Sequence, residues 1–242
     1  MSKYVDMIGW DDAPHLRPPH ISREELDDLE RDMLPHQKQA RRTGRPSLGS
    51  GAVYPIGEDQ LFIDPFKIPD YWERAWTMDV GWKKTAALIG ARDPDTDTYY
   101  FTGEYYVGEA QPIIHAHGIQ AMLPWKNLEG AIDPAAEGSN QKDGTKLRAE
   151  YEDLGLYLRN ADNAVAAGIH RFLTLAQSNQ LKVFNTLVNF RKEIRLYRRN
   201  EKGKIIKEND HLMDCGRYLV QTAGIFTTQP IQRAHRKRRG EW

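Results

Sequence analysis

Residues 75–93 read AWTMDVGWKKTAALIGARD. The first half, AWTMDVGW, has the composition of a buried strand that ends at Asp79 and Gly81. The second half, TAALIGARD, predicts another strand, and TYYFTGEYYVG a third. Between these two lies DPDTD, whose Asp and Pro residues suit a tight turn, so the pair reads as a hairpin or meander. Further along, PIIHAHGIQAML has helical spacing, with Ile114, Ile119 and Met122 expected on one side. LEGAIDPAA is a short apolar strand stopped at Asp133-Pro134. TKLRAEYEDLG is an amphipathic helix stopped by Gly155. Then follow a strand (LYLRNA), a helix (NAVAAGIHRFLTLAQSN), a strand (LKVF), a helix (TLVNFRKEIRLYRR), a hairpin turning near Gly203 and a last helix, HLMDCGRYLVQTAG. Consecutive strands followed by strand–helix alternation predict an α/β fold, a mixed sheet with helices on its faces.

The flanks differ from this centre. Residues 1–70 hold the Pro-rich APHLRPPHIS, a helix predicted over about Arg23–Met33 from the Ser22/Glu25 capping box, and the basic HQKQARRTGRP. They lack the apolar density of a core and read as an arm or linker. Residues 71–228 read as the folded domain and residues 229–242 as a basic, disordered tail. Lys and Arg together equal Asp and Glu at 34 each, so any nucleic-acid signal must lie in the distribution of charge rather than its sum. With Cys215 as the sole cysteine, an intrachain disulfide and a zinc-ribbon spacing are both excluded. No phosphate-binding loop of a P-loop ATPase, dinucleotide fingerprint or Gly-x-Ser-x-Gly elbow is present. No apolar run is long enough for a membrane span, and residues 1–16 carry no signal-peptide pattern, so a cytoplasmic protein with no membrane partner is expected.

Four aspartates stand out. Asp79 lies on the first apolar strand, Asp133 ends the strand AID, and Asp210 and Asp214 flank the start of the last helix. Buried carboxylates are costly unless paired or bound to a cation. Clustered carboxylates suit a hard divalent ion such as Mg²⁺ or Mn²⁺, and two such ions serve phosphodiester hydrolysis. Taken singly, each has a plainer reading: a turn at Asp133-Pro134, a strand end at Asp79, an N-cap at Asp210, a helix-dipole contact at Asp214. His211 is three residues before Asp214, on the same helical face, and can orient it, meet a metal or phosphate, or simply bond to backbone. Residues 191–207 hold eight Lys/Arg against two Glu, a segment able to lie along a phosphate backbone or to be a solvated face. The tail adds five more between Arg233 and Arg239.

WTMDVGWKKTAALIGA, GAIDPAA and NDHLMDCGRYLV together resemble the three acidic motifs of the nuclease domain of phage large terminases, the branch found in short-tailed and related phages. HQKQARRTGRPSLGSGAVYP resembles the segment that joins that family's ATPase motor to its nuclease, and the likeness covers roughly residues 36–220. The resemblance implies a ribonuclease H-like mixed sheet of five or more strands with helices on both faces. It implies two-metal cleavage of double-stranded concatemeric viral DNA during packaging, with two Mg²⁺ or Mn²⁺ ions. Carried over, Asp79 and Asp133 match the first- and fourth-strand carboxylates. Asp214 is the first choice for the third, with Asp210 and His211 beside it. Lys83, Lys84, Arg191, Arg195, Arg198, Arg199, Lys202 and Lys204 are the expected DNA contacts. The portal protein and the small terminase subunit are the implied partners, in the host cytoplasm. A resolvase or transposase core of the same fold, and a non-catalytic docking module, are the rival readings.

Overall fold

The computed structural model describes Glu25, Asp28, Arg42 and residues 51–137, 147–200 and 203–229. Of the helix expected over Arg23–Met33, only Glu25 and Asp28 are described, and both are helical; the tail from 230 onward lies outside the described residues. The chain divides into a small unit, residues 1–55 with 195–208, and a large one, residues 56–194 with 209–242.

In the large unit the chain forms α1 (Glu58–Leu61), β1 (Phe62–Ile63), β2 (Glu73–Asp79), β3 (Thr85–Asp93), β4 (Thr98–Val107), α2 (Pro112–Met122), β5 (Glu129–Ile132), α3 (Leu147–Asp153), β6 (Tyr157–Asn160), α4 (Val165–Gln177), β7 (Leu181–Phe184), α5 (Val188–Leu196) and α6 (His211–Gln221). The last two residues of α5 fall in the small unit. Seven strands make one sheet in the order β1-β7-β4-β3-β2-β5-β6. The meander β2-β3-β4 is antiparallel, and every other pairing is parallel. The sheet is therefore mixed, as expected. Its outermost strand, β1, lies in residues assigned to the arm by sequence, because two residues carry no period; their pairing with Val183 and Phe184 makes them a strand.

Alternation along β2 sorts its side chains between the two faces. Trp76 and Met78 enter an apolar cluster with Ala87, Ile89, Ala116, Ile119, Leu128, Ile132, Tyr151, Leu156 and Leu158, which α2 and α3 help to enclose. Gly130 makes room for the indole of Trp76, since a Cβ there would lie 2.2 Å from the ring. The indole N–H donates to the Leu128 carbonyl at 2.9 Å. On α2 the buried residues are His115, Ala116 and Ile119, whereas Ile114 is 55% exposed, contrary to the expected face. His115 tolerates burial because its Nδ1 meets the Tyr105 hydroxyl at 3.0 Å.

Thr77 and Asp79 belong to the opposite face, against α6. The Thr77 hydroxyl donates to the Cys215 carbonyl at 2.8 Å, and Gly90 on β3 lies so close to Leu219 that a Cβ would be 2.5 Å from it. Among the described residues no helix is long and apolar enough to cross a membrane.

Among the described residues of the small unit, Gly51–Val53 meet Tyr197–Arg199: Arg199 N donates to Gly51 O at 2.7 Å, and Val53 N to Tyr197 O at 3.0 Å. Arg199 also bridges antiparallel to Ile205, and Gly203, at φ +74, forms the turn between them. That places the turn where the sequence predicts it.

Candidate active site

Asp79 and Asp133 are brought together by strand register. Parallel β2 and β5 pair Met78 with Ile132, and Asp133 N donates to Met78 O at 3.3 Å. Both carboxylates thus stand one residue beyond that last pair, at the C-terminal ends of adjacent parallel strands, where open α/β sheets place their ligands. Asp133 Oδ1 also accepts from Ala135 N at 3.0 Å, so the turn role suggested by Asp-Pro is present as well.

The helix α6 brings the third group. Asp214 is buried on its first turn, and its Oδ1 accepts from the Arg217 guanidinium at 2.9 Å, an i,i+3 ion pair with Arg217 only 1% exposed. Burial alone would depress the Arg217 pKa, but the charge of Asp214 and the hydrogen bond to it outweigh that and raise it. The same guanidinium donates to Asn163 Oδ1 at 3.0 Å, and Asn163 Nδ2 reaches Asp133 Oδ1 at 3.4 Å. Asn163 therefore links the β5 carboxylate to the α6 carboxylate. The turn holding it is fixed by Asp162, whose Oδ1 accepts from Ala164 N at 3.0 Å. Gly168 of α4 clears the space for Arg217, since a Cβ there would stand 2.2 Å from its Cγ. The Tyr218 hydroxyl is pushed well up by burial and then by the negative charges of Asp214, Asp133 and Asp79, so all three fields converge on it.

His211 does not orient Asp214. Its Nδ1 meets Asp79 Oδ2 at 2.8 Å, and this bond, against the opposing effect of burial, raises the imidazole pKa. Asp210 occupies the N-cap position of α6 but makes no side-chain cap bond. Glu193 of α5 does that work instead: its Oε2 accepts from Leu212 N at 2.7 Å, while its Oε1 accepts from the Tyr106 hydroxyl at 2.7 Å. Burial raises the Glu193 pKa, partly offset by these two hydrogen bonds. Glu104 of β4 in turn accepts from Asn189 N and Phe190 N at 2.9 and 2.8 Å, satisfying the start of α5. Arg217, Asn163, Glu193 and Glu104 were missed by sequence reading. Only Arg217 had a local signal, a cation three residues after Asp214 on a helix.

Among the described residues no group of three or more His, Cys, Asp and Glu side chains is placed to hold a metal ion. The structure shows why in part: His211 Nδ1 is hydrogen-bonded to Asp79 and the Arg217 guanidinium pairs with Asp214, so two of the carboxylates already have protein partners. The donor set is nonetheless all-oxygen, carried by three elements, and suits a hard divalent cation.

Of the expected DNA contacts, Lys83 is exposed and Lys84 lies with Nζ 4.8 Å from the Tyr106 ring centroid. Arg191 stacks on Phe62 at 4.3 Å and faces Glu58 at 3.9 Å, so its charge is already partly engaged in the fold. Arg195, Arg198, Arg199 and Lys204 are exposed in the small unit, and Lys202 lies outside the described residues.

Residues 76–222 match the family model described as "Terminase RNaseH-like domain". The chain belongs to that family. It is 31% identical over 208 residues to the large terminase subunits of Salmonella phage P22 and Enterobacteria phage LP7, covering 82% of this chain. The chain spans less than half the length of those relatives, 41% and 43% respectively. Among solved structures, the nuclease domain of the P22 large terminase superposes with a TM-score of 0.64 at 28% identity, covering 71% of this chain and 92% of that one. The large terminase of thermophilic bacteriophage D6E shares the fold, with a TM-score of 0.61 at 18% identity over 83% of this chain and 52% of that one. The ribonuclease H-like α/β fold is thereby borne out, with seven strands. The terminase chain contains the counterpart of the P22 nuclease domain.

Proposed function

We propose that this terminase domain is a metal-dependent endonuclease that cuts double-stranded concatemeric viral DNA during phage genome packaging. The observation that carries this reading is the placement of Asp79 and Asp133 side by side at the ends of parallel β2 and β5, with Asp214 on the helix packed against that face. Asp79, Asp133 and Asp214 would hold two Mg²⁺ or Mn²⁺ ions. Such ions, when bound, activate water and stabilise the leaving oxygen of a phosphodiester. The chain's own residues position them. His211 fixes one Asp79 oxygen, Arg217 fixes one Asp214 oxygen, and Asn163 ties Asp133 to Arg217. Asp214 is preferred over Asp210 because it is the one joined to Asp133 through Arg217 and Asn163.

Lys83, Lys84, Arg191, Arg195, Arg198, Arg199, Lys202 and Lys204 supply sequence-independent phosphate contacts in this reading. Residues 1–55 act as an arm toward a motor in this reading, residues 229–242 as a basic tail, and the nuclease takes in α1 and β1, ahead of the boundary at residue 70 expected from sequence. The portal protein and small terminase subunit are its partners in the host cytoplasm. The test is cleavage of supercoiled plasmid with Mg²⁺, Mn²⁺ or EDTA, beside Asp133→Asn. Metal-dependent nicking and linearisation should fall about a thousandfold or more in the variant, the scale expected when several kcal/mol of charge stabilisation is lost. Equal cleavage by both proteins would overturn the assignment.

A further inference from the structure

We propose that Trp82 is a DNA-contacting residue, its indole packing against the sugars and groove edges of the duplex near the carboxylate site. This deepens the nuclease reading and rests on it. Trp82 is 71% exposed, whereas Trp72 and Trp76 are 7% and 0% exposed. It lies three residues beyond Asp79, and the reach of an extended chain keeps the two Cα atoms within ~10 Å of each other.

The backbone that carries the indole is pinned on both sides. The Trp82 carbonyl accepts from Glu109 N at 2.9 Å, and Glu109 adopts φ +54, a left-handed conformation that non-glycine residues rarely take. Gly108 packs so tightly on the Lys83 carbonyl that a Cβ would stand 2.0 Å from the oxygen. The Thr85 hydroxyl closes the turn on the Gly81 carbonyl at 3.2 Å. A fixed turn thus presents a large aromatic side chain to solvent, next to exposed Lys83 and half-buried Lys84. An exposed aromatic beside cations, three residues along the chain from Asp79, fits an anionic polymer with apolar sugar surface between its phosphates. Phosphates meet the lysines, and the indole meets sugars and groove edges without reading sequence.

The test uses the full chain and a short fluorescent duplex, with binding measured in EDTA and cleavage in Mg²⁺. Trp82→Ala should weaken binding about tenfold and raise KM by the same factor, with kcat within about twofold of the parent. Trp82→Phe should restore most of the affinity. The melting temperature should not move, since the side chain is exposed. An unchanged Kd and KM in Trp82→Ala, from a protein that still cleaves, would overturn this inference and leave the nuclease reading standing. An unchanged Kd with altered sedimentation would assign the indole to a protein contact and overturn it too. A parent chain that neither binds nor cuts duplex would overturn both.

Discussion

The two faces of the sheet are built from alternate residues of the same strands and do opposite things with burial. The face under α2 and α3 is closed by Trp76, Met78, Ile89, Ile119, Ile132 and Leu158, with the one indole N–H satisfied by a backbone carbonyl. The face under α6 buries a full ion pair, Asp214 with Arg217, and a carboxyl, Glu193. The first arrangement stabilises the sheet. The second is an expensive way to fill a core, because ions lose hydration that their attraction barely recovers. The difference teaches that β2 and β5 serve the fold through one set of positions and hold Asp79 and Asp133 at the chemical side through the other.

The largest effect is expected from Arg217→Met. It leaves Asp214 buried without its cation, so unfolding by denaturant should show a loss of about 3–5 kcal/mol. A loss below about 1 kcal/mol would mean the pair is not an element of the folded core. On the apolar face, Gly130→Ala should cost about 1–3 kcal/mol by forcing Trp76 off its seat, while cleavage per folded molecule stays unchanged. Loss of cleavage without loss of stability there would erase the division between the faces.

Much of the fold was legible. The apolar strands around Asp79 and Asp133 announce themselves by composition, and the mixed sheet follows from consecutive strands giving way to strand–helix alternation. The choice of partners was not. His211 lies three residues from Asp214 on one helix, yet bonds to Asp79, 132 positions away. Asp210 has the position of a cap, yet Glu193 from another helix reaches Leu212 N first. Such contacts depend on how α5 and α6 dock, which no local period records. The exposure of Ile114 has the same origin: the buried face of α2 is chosen by what lies beneath it, and Tyr105 accepts a histidine there.

A smaller effect sharpens the account of the polar face. Burial raises the Glu193 pKa above its usual 4.5. A carboxyl with a raised folded pKa contributes stability below its unfolded pKa, and that stability is lost as pH rises through the folded value. Glu193→Gln keeps an acceptor for Leu212 N without the charge. Its stability relative to the parent should therefore rise from about pH 4.5 upward and level off above the folded pKa. Thermal melts across that range check it, and a difference independent of pH would show that Glu193 acts by shape alone.

The central claim is that Asp79, Asp133 and Asp214 form one cation site at the ends of β2 and β5. Its most direct test is a crystal soaked in Mn²⁺ and measured for anomalous scattering. The expected result is manganese bounded by these three carboxylates, with His211 still on Asp79 and Arg217 still on Asp214. Manganese bound elsewhere, with the space between the three aspartates empty at saturating metal, would contradict it.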